Sequence, residues 1–270
     1  RQLTISNPLN FNGKDANTKN MKITKKSAPL TLGLAALLVL LVTQASAAPQ
    51  LSGTWSDPPP SAEDAFCHVG CPVDAREYLT ASLNDPAKLH LTFAQLRAQA
   101  ERYMRAELIP SHLTEEASSA YPFNSNADSS LVSCTPWGFA RQILSPHAME
   151  LTQNEFHDLG YVTIYYSEWT AQRTIYLDGR QPPADLTPSL LGFSVGHYKD
   201  DVLVVETSGI SANHHGFAGF AHSDQLTATE RFTRSTDGNR LDLEVTFRDP
   251  VTFSKPLRMA RAWAWAPTEI

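Results

Sequence analysis

The sequence predicts a mainly β fold: an antiparallel β-barrel or sandwich, lipocalin-like barrels included, with a small helical cap on its N-terminal side. Three observations carry this reading. Beyond Cys134 the chain breaks into short runs rich in β-branched and aromatic residues. These runs are joined by turns rather than by helices of ten or more residues, which argues against βαβ units. The runs TATERFTR and RLDLEVTF, separated by Thr236-Asp237-Gly238-Asn239, form a strong hairpin pattern. In the second of them Leu241, Leu243, Val245 and Phe247 share one face, while Asp242, Glu244, Thr246 and Arg248 share the other.

Taken in order, residues 1–20 are polar, have no apolar periodicity and are expected to be an upstream, non-structural extension. Residues 21–47 read as a signal peptide. Met21 opens a basic stretch with Lys22, Lys25 and Lys26, an apolar run follows over 28–42, and Ala45-Ser46-Ala47 supplies the small-x-small cleavage pattern. The apolar run is shorter than the roughly 20 residues that span a bilayer, so no stable membrane span is expected after cleavage before Ala48. A periplasmic or secreted location follows. Residues 48–130 are expected to hold a Pro/Ser-rich lead-in, PQLSGTWSDPPPSA, and then a helical cap with helices over 74–83 and 92–109. Thr92 and Gln95 have the spacing of a capping box, and Pro110 ends the second helix. The β-rich body, 131–270, forms a single domain with this cap. Its strands are expected at 140–144, 149–153, 161–166, 173–177, 192–197, 202–207, 225–234, 240–247 and 255–265.

Charge narrows the partners. Of 22 Lys plus Arg and 28 Asp plus Glu, residues 1–47 hold six and one, so the remaining chain is strongly acidic. A nucleic-acid partner needs a basic footprint, and none is present. Cys67, Cys71 and Cys134 are an odd number, so in an oxidising compartment one is left over. A Cys67–Cys71 bridge is conceivable across one helical turn. A long-range link from Cys67 or Cys71 to Cys134 is the preferred expectation. Two thiols beside His68 are too few to read as a metal site.

Several phrases occur together: CTPWGFARQI at 134–143, ELTQ at 150–153, RTIYLDGR at 173–180, LGFSVGHYKDDVLVVET at 191–207, HSDQLTATERFTR at 222–234 and TFRDPVTFSKPL at 246–257. In this the chain resembles a large group of exported bacterial proteins whose function is not established. The group shares an R-x-I-Y-x-D-G-R element, a G-x-S-x-G followed by an acidic hairpin, and an H-S-[DE] ahead of an E-R-F strand. The resemblance covers roughly residues 60–266 and implies export, but no activity, cofactor or site. Many relatives have His where this chain has Phe193, so a role for an imidazole there does not carry over.

The candidate site residues come from charges and aromatics set in apolar runs. Glu168, Arg173, Asp178, Arg180, Glu206, Glu230 and Arg231 are such charges, and buried ions persist only when paired or hydrogen-bonded. They either enter a polar cavity or form structural ion pairs. Asp178-Gly179-Arg180 reads first as a hairpin turn and second as a rim clamp for a carboxylate. Gly192-Phe193-Ser194-Val195-Gly196 matches G-x-S-x-G, but a strand follows it where a nucleophile elbow needs a helix. His147, His157, His197, His214, His215 and His222 lie in or near loops. No pair has the H-E-x-x-H spacing, and no metal is expected.

The leading expectation is a soluble exported protein that binds a small organic ligand through Arg173, Arg180, Trp137, Trp169 and Glu168. The alternatives are a hydrolase, lyase or isomerase using His197 or His222 with Glu230 or Asp178, and a structural envelope protein. No cofactor or oligomeric state is indicated.

Overall fold

The computed structural model describes residues 49–58, 61–121, 134, 136–153, 160–212 and 221–268. All of them belong to the second of two compact units, 45–270. The expected extension and signal peptide lie outside the described residues, as do His157, His214 and His215.

Ten strands are present among the described residues: β1 (Gly53–Ser56), β2 (Cys71–Pro72), β3 (Met149–Gln153), β4 (Tyr161–Tyr166), β5 (Ala171–Tyr176), β6 (Phe193–Lys199), β7 (Val202–Ser208), β8 (Thr227–Arg234), β9 (Arg240–Arg248) and β10 (Leu257–Trp265). Nine of them, in the order β1-β3-β4-β5-β6-β7-β8-β9-β10, close into a barrel through pairing of β10 with β1. The short β2 lies on β10 beside β1, with Met259 opposite Pro72. Closure pairs β1 with β10, the two strands that would otherwise be the edges of an open sheet.

All neighbours are antiparallel except β5 and β6, which run parallel. The expected hairpin at Asp178-Gly179-Arg180 is therefore corrected. Pro182, Pro183 and Pro188 follow it, cannot donate to a ladder, and the chain crosses over to start β6 in the direction of β5. The acidic turn at 200–201 and the Asp-Gly turn at 237–238 do close the hairpins β6–β7 and β8–β9.

Two other expectations are corrected. Residues 140–144 are not a strand: helix α5 (Phe139–Ile143) occupies the stretch, preceded by α1 (Ala62–Phe66), α2 (Val73–Leu83), α3 (Phe93–Tyr103) and α4 (Glu115–Ala120). A short apolar run carries no periodicity that separates helix from strand. Here Phe139, Ala140 and Ile143 are all buried in the same apolar core as the inward faces of the strands. The Pro/Ser-rich lead-in, conversely, contains β1. Its Trp55 is fully buried, and the indole Nε1 donates to the Leu51 carbonyl at 3.0 Å.

The capping box forms as the spacing predicts: Thr92 N–H donates to Gln95 Oε1 at 2.8 Å, and Gln95 N–H to Thr92 Oγ1 at 3.3 Å. Helix α3 then relaxes into a π-turn over Met104–Leu108 before Pro110. Phe66, Ala75, Leu79, Leu96, Ala100 and Leu108 make a small apolar cluster of the cap. The disulfide joins Cys67 to Cys71, and Cys134 is free and exposed, against the preferred long-range pairing. Helix α1 ends at Cys67, and Gly70 at φ +73° turns the chain back, bringing the two Cα atoms to 4.8 Å.

Candidate functional site at the barrel seam

Inward-facing positions of the strands are apolar almost throughout: Ile164, Ile175, Leu203, Val205, Phe232 and Leu243 are among them. Among the described residues three strand positions carry buried charges; Arg261 on β10, 1% exposed, donates to Asp57 and to the His68 carbonyl, and the other two form a pair. Arg173 on β5 and Glu230 on β8 are 3% and 0% exposed. The guanidinium grips the carboxylate with two nitrogens, Nη1 to Oε1 at 3.0 Å and Nη2 to Oε2. Its Nε donates to Ser194 Oγ at 2.9 Å, and Thr207 Oγ1 lies 3.3 Å from both Nη2 and Glu230 Oε2. The Phe139 ring, carried in by α5, sits 4.9 Å from the guanidinium carbon. Burial works against the Arg173 charge, but the Glu230 carboxylate outweighs it and holds the arginine pKa above its ordinary value. The adjacent Tyr166 hydroxyl is pushed up to about 12, chiefly by burial.

Beside this pair the barrel wall opens. Strand β5 meets β4 along its whole length, from Tyr161 opposite Tyr176 to Tyr166 opposite Ala171. It meets β6 only at Ile175–Ser194 and Tyr176–Val195. Residues 189–192 face the rest of β5 but bond elsewhere. Ser189 N–H donates to Gly209 O at 3.0 Å, and Ser211 N–H to Ser189 O at 2.8 Å. Gly192 lets this segment turn into β6: its φ is +68°, and a Cβ would lie 2.7 Å from the Ser208 carbonyl oxygen. The result is a cleft of about 360 Å³ lined by Gln172, Thr174, Tyr176, Leu190 and Phe193, with the buried Arg173 and Ser194 on its inward side. Tyr176 and Phe193 stack with centroids 5.2 Å apart, and the Arg180 guanidinium lies 4.0 Å from the Tyr176 ring.

The other sequence-derived residues among those described fall in four places. Arg180 bonds to Asp178 within its own turn, Nε to both carboxylate oxygens at 2.9 Å, in an exposed pair. Asp178 is held down to about 2 by the Arg180 hydrogen bonds. Trp137, Trp169 and Glu168 gather with His147 where the β4–β5 connection meets the lead into α5. Trp137 lies 6.2 Å from Trp169 and 5.9 Å from His147, and His147 Nδ1 is 3.2 Å from Glu168 Oε1. Trp169 and Thr170 adopt positive φ in this tight connection. His197 stands exposed on β6, whereas His222 is buried and its Nδ1 lies 3.0 Å from the Ser223 carbonyl. Of Arg173, Arg180, His197, His222 and Glu230, the structure joins Arg173 to Glu230 and sets Arg180 and His197 at the surface.

Ser194 lies inside β6 and donor-acceptor bonds tie it to Arg173 and Thr207, so G-x-S-x-G is not a nucleophile elbow here. Sequence reasoning missed Thr207, Tyr166 and Phe139 around the ion pair, and Gln172 and Leu190 at the cleft. It also missed Asp249, 1% exposed, which accepts from Ser223 and Thr252. The Asp-Pro dipeptide after β9 is a turn signal that would have singled it out.

Among the described residues no group of three metal-ligating side chains is assembled, and no helix is long and apolar enough to cross a membrane. Compared with known proteins, the chain matches no family model, no curated protein and no solved structure.

Proposed function

We propose that this is an exported protein, periplasmic or secreted, that binds a small organic ligand in the cleft between β5 and the segment 189–192. The observation that carries the reading is the incomplete β5–β6 ladder, which leaves a cleft of about 360 Å³ beside the buried Arg173. That volume is within the range of small-molecule sites, about 300–1,000 Å³. The lining combines stacked aromatics with a few neutral polar groups, the usual composition of such sites. In this reading Arg173 supports the inward wall, and Arg180 with Asp178 lies over one rim aromatic. Trp137, Trp169 and Glu168 form a separate cluster available to a second contact.

Export is supported by the Cys67–Cys71 disulfide and the leader pattern before Ala48. Membership of the exported group sharing R-x-I-Y-x-D-G-R is part of the same proposal. An enzymatic role for His197 or His222 with Glu230 or Asp178 would require Glu230 to leave Arg173, or Asp178 to leave Arg180.

Native mass spectrometry of protein recovered from an exporting host tests the reading. The wild type is expected to carry a non-covalent adduct, or to acquire one from a panel of small aromatic and polar compounds. The outward-facing variant Thr174→Trp, which fills the cleft, is expected to lose it. Equal binding by a folded Thr174→Trp variant removes the cleft as the site.

A further inference from the structure

We infer that the ligand of this cleft is a short peptide segment in extended conformation, held as the stave missing from the barrel wall. The inference rests on the proposal that the cleft is the binding site. Each non-proline residue carries an obligatory backbone donor and acceptor. In a strand, alternate residues aim both groups at the same neighbour. Strand β4 serves one edge of β5 along its full length, but β6 serves the other only at Ile175 and Tyr176. The stretch 171–174 therefore turns strand-spaced N–H and C=O groups toward the cleft. The opposite bank does not meet them, because Ser189 is bonded to Gly209 and Ser211 on its far side. A bare strand edge is the surface on which proteins accept an added strand.

The side chains narrow the chemistry. Both cations at the cleft are already matched, Arg173 by Glu230 and Arg180 by Asp178, so neither asks for a charged ligand. Gln172 and Thr174 point outward, and among the described residues their side chains make no hydrogen bond. Leu190, 39% exposed, and the Tyr176–Phe193 stack offer an apolar seat. An uncharged segment that alternates apolar and hydroxyl side chains matches this pattern. At about 3.3 Å per residue the open edge takes three or four residues.

The probe is the capped tetrapeptide Ac-Thr-Val-Thr-Val-NH2, with two twins methylated on alternate backbone nitrogens and a set of phenol and monosaccharide fragments. Amide shifts and hydrogen exchange over 171–174 are read by NMR on the full chain. The peptide is expected to slow exchange of the cleft-facing amides by about tenfold. One twin should bind and the other fail, and Thr174→Trp should abolish the effect. If that variant misfolds, Leu190→Lys on the opposite bank replaces it. Fragments that shift the cleft amides while the peptide does not, or two twins that bind like the parent, overturn the peptide inference and leave the cleft reading standing. If neither peptide nor fragments move these amides, both fall.

Discussion

Two arginine–carboxylate pairs arise from the stretch RTIYLDGR and its partners, and they behave as opposites. Arg173 and Glu230 are buried in the barrel, while Arg180 and Asp178, seven and five residues beyond Arg173, have 47% and 41% of their side chains exposed. Both are guanidinium–carboxylate contacts through more than one nitrogen. In water a charge that loses its partner is rehydrated, and salt screens the pair. In the barrel it has no such refuge, so the loss of either partner strands a buried ion. Environment, more than contact geometry, decides which pair the fold depends on.

The largest test removes one buried partner. Glu230→Ala leaves Arg173 charged in the core and should cost about 3–5 kcal/mol in urea denaturation. A loss no larger than a surface substitution gives would break the comparison. The double variant Arg173→Met with Glu230→Leu should recover most of that loss, because an apolar replacement of similar volume leaves nothing stranded. Ser194 and Thr207, 3.0 Å apart, can then satisfy one another.

A pH experiment sharpens the contrast. The Tyr166 pKa is raised on folding, so its contribution to stability is complete below about pH 10 and is lost as the pH climbs toward about 12. Spectrophotometric titration of the folded protein should show a tyrosine ionising near pH 12 that is absent in Tyr166→Phe. Asp178 has the reverse sign. Its folded pKa is depressed to about 2, so its contribution is present above the ordinary carboxyl value of 3.8 and fades as the pH falls to about 2. Carbon NMR should find that low value in the wild type and a return toward 3.8 in Arg180→Ala. The smallest effect is expected from Asp178→Asn, whose denaturation midpoint at neutral pH should match the wild type because solvent screens the pair.

Much of the wall was legible residue by residue. Alternation in RLDLEVTF placed Leu241, Leu243, Val245 and Phe247 inward, and all four are buried. The Thr92–Gln95 box and the turns at 200–201 and 237–238 followed from side-chain hydrogen bonding and backbone preference. The candidate site was less legible. Arg173 and Glu230 were both marked as charges in apolar runs, but nothing local says that residues 57 apart meet. The cleft left no trace in composition, since Gln172, Thr174 and Leu190 are ordinary strand and loop residues.

From its sequence alone this chain specifies which stretches extend, which faces are apolar and where hairpins reverse, because those depend on side-chain period and turn chemistry within a few residues. Folding in three dimensions settles the rest. The parallel seam of β5 and β6, the closure by β1, the helix α5 against the arginine and the choice of Cys71 over Cys134 are all competitions between segments for one partner. Such competitions are resolved by burial and backbone pairing across the whole barrel, and the stretch of β5 that β6 does not pair is what they leave beside the cleft.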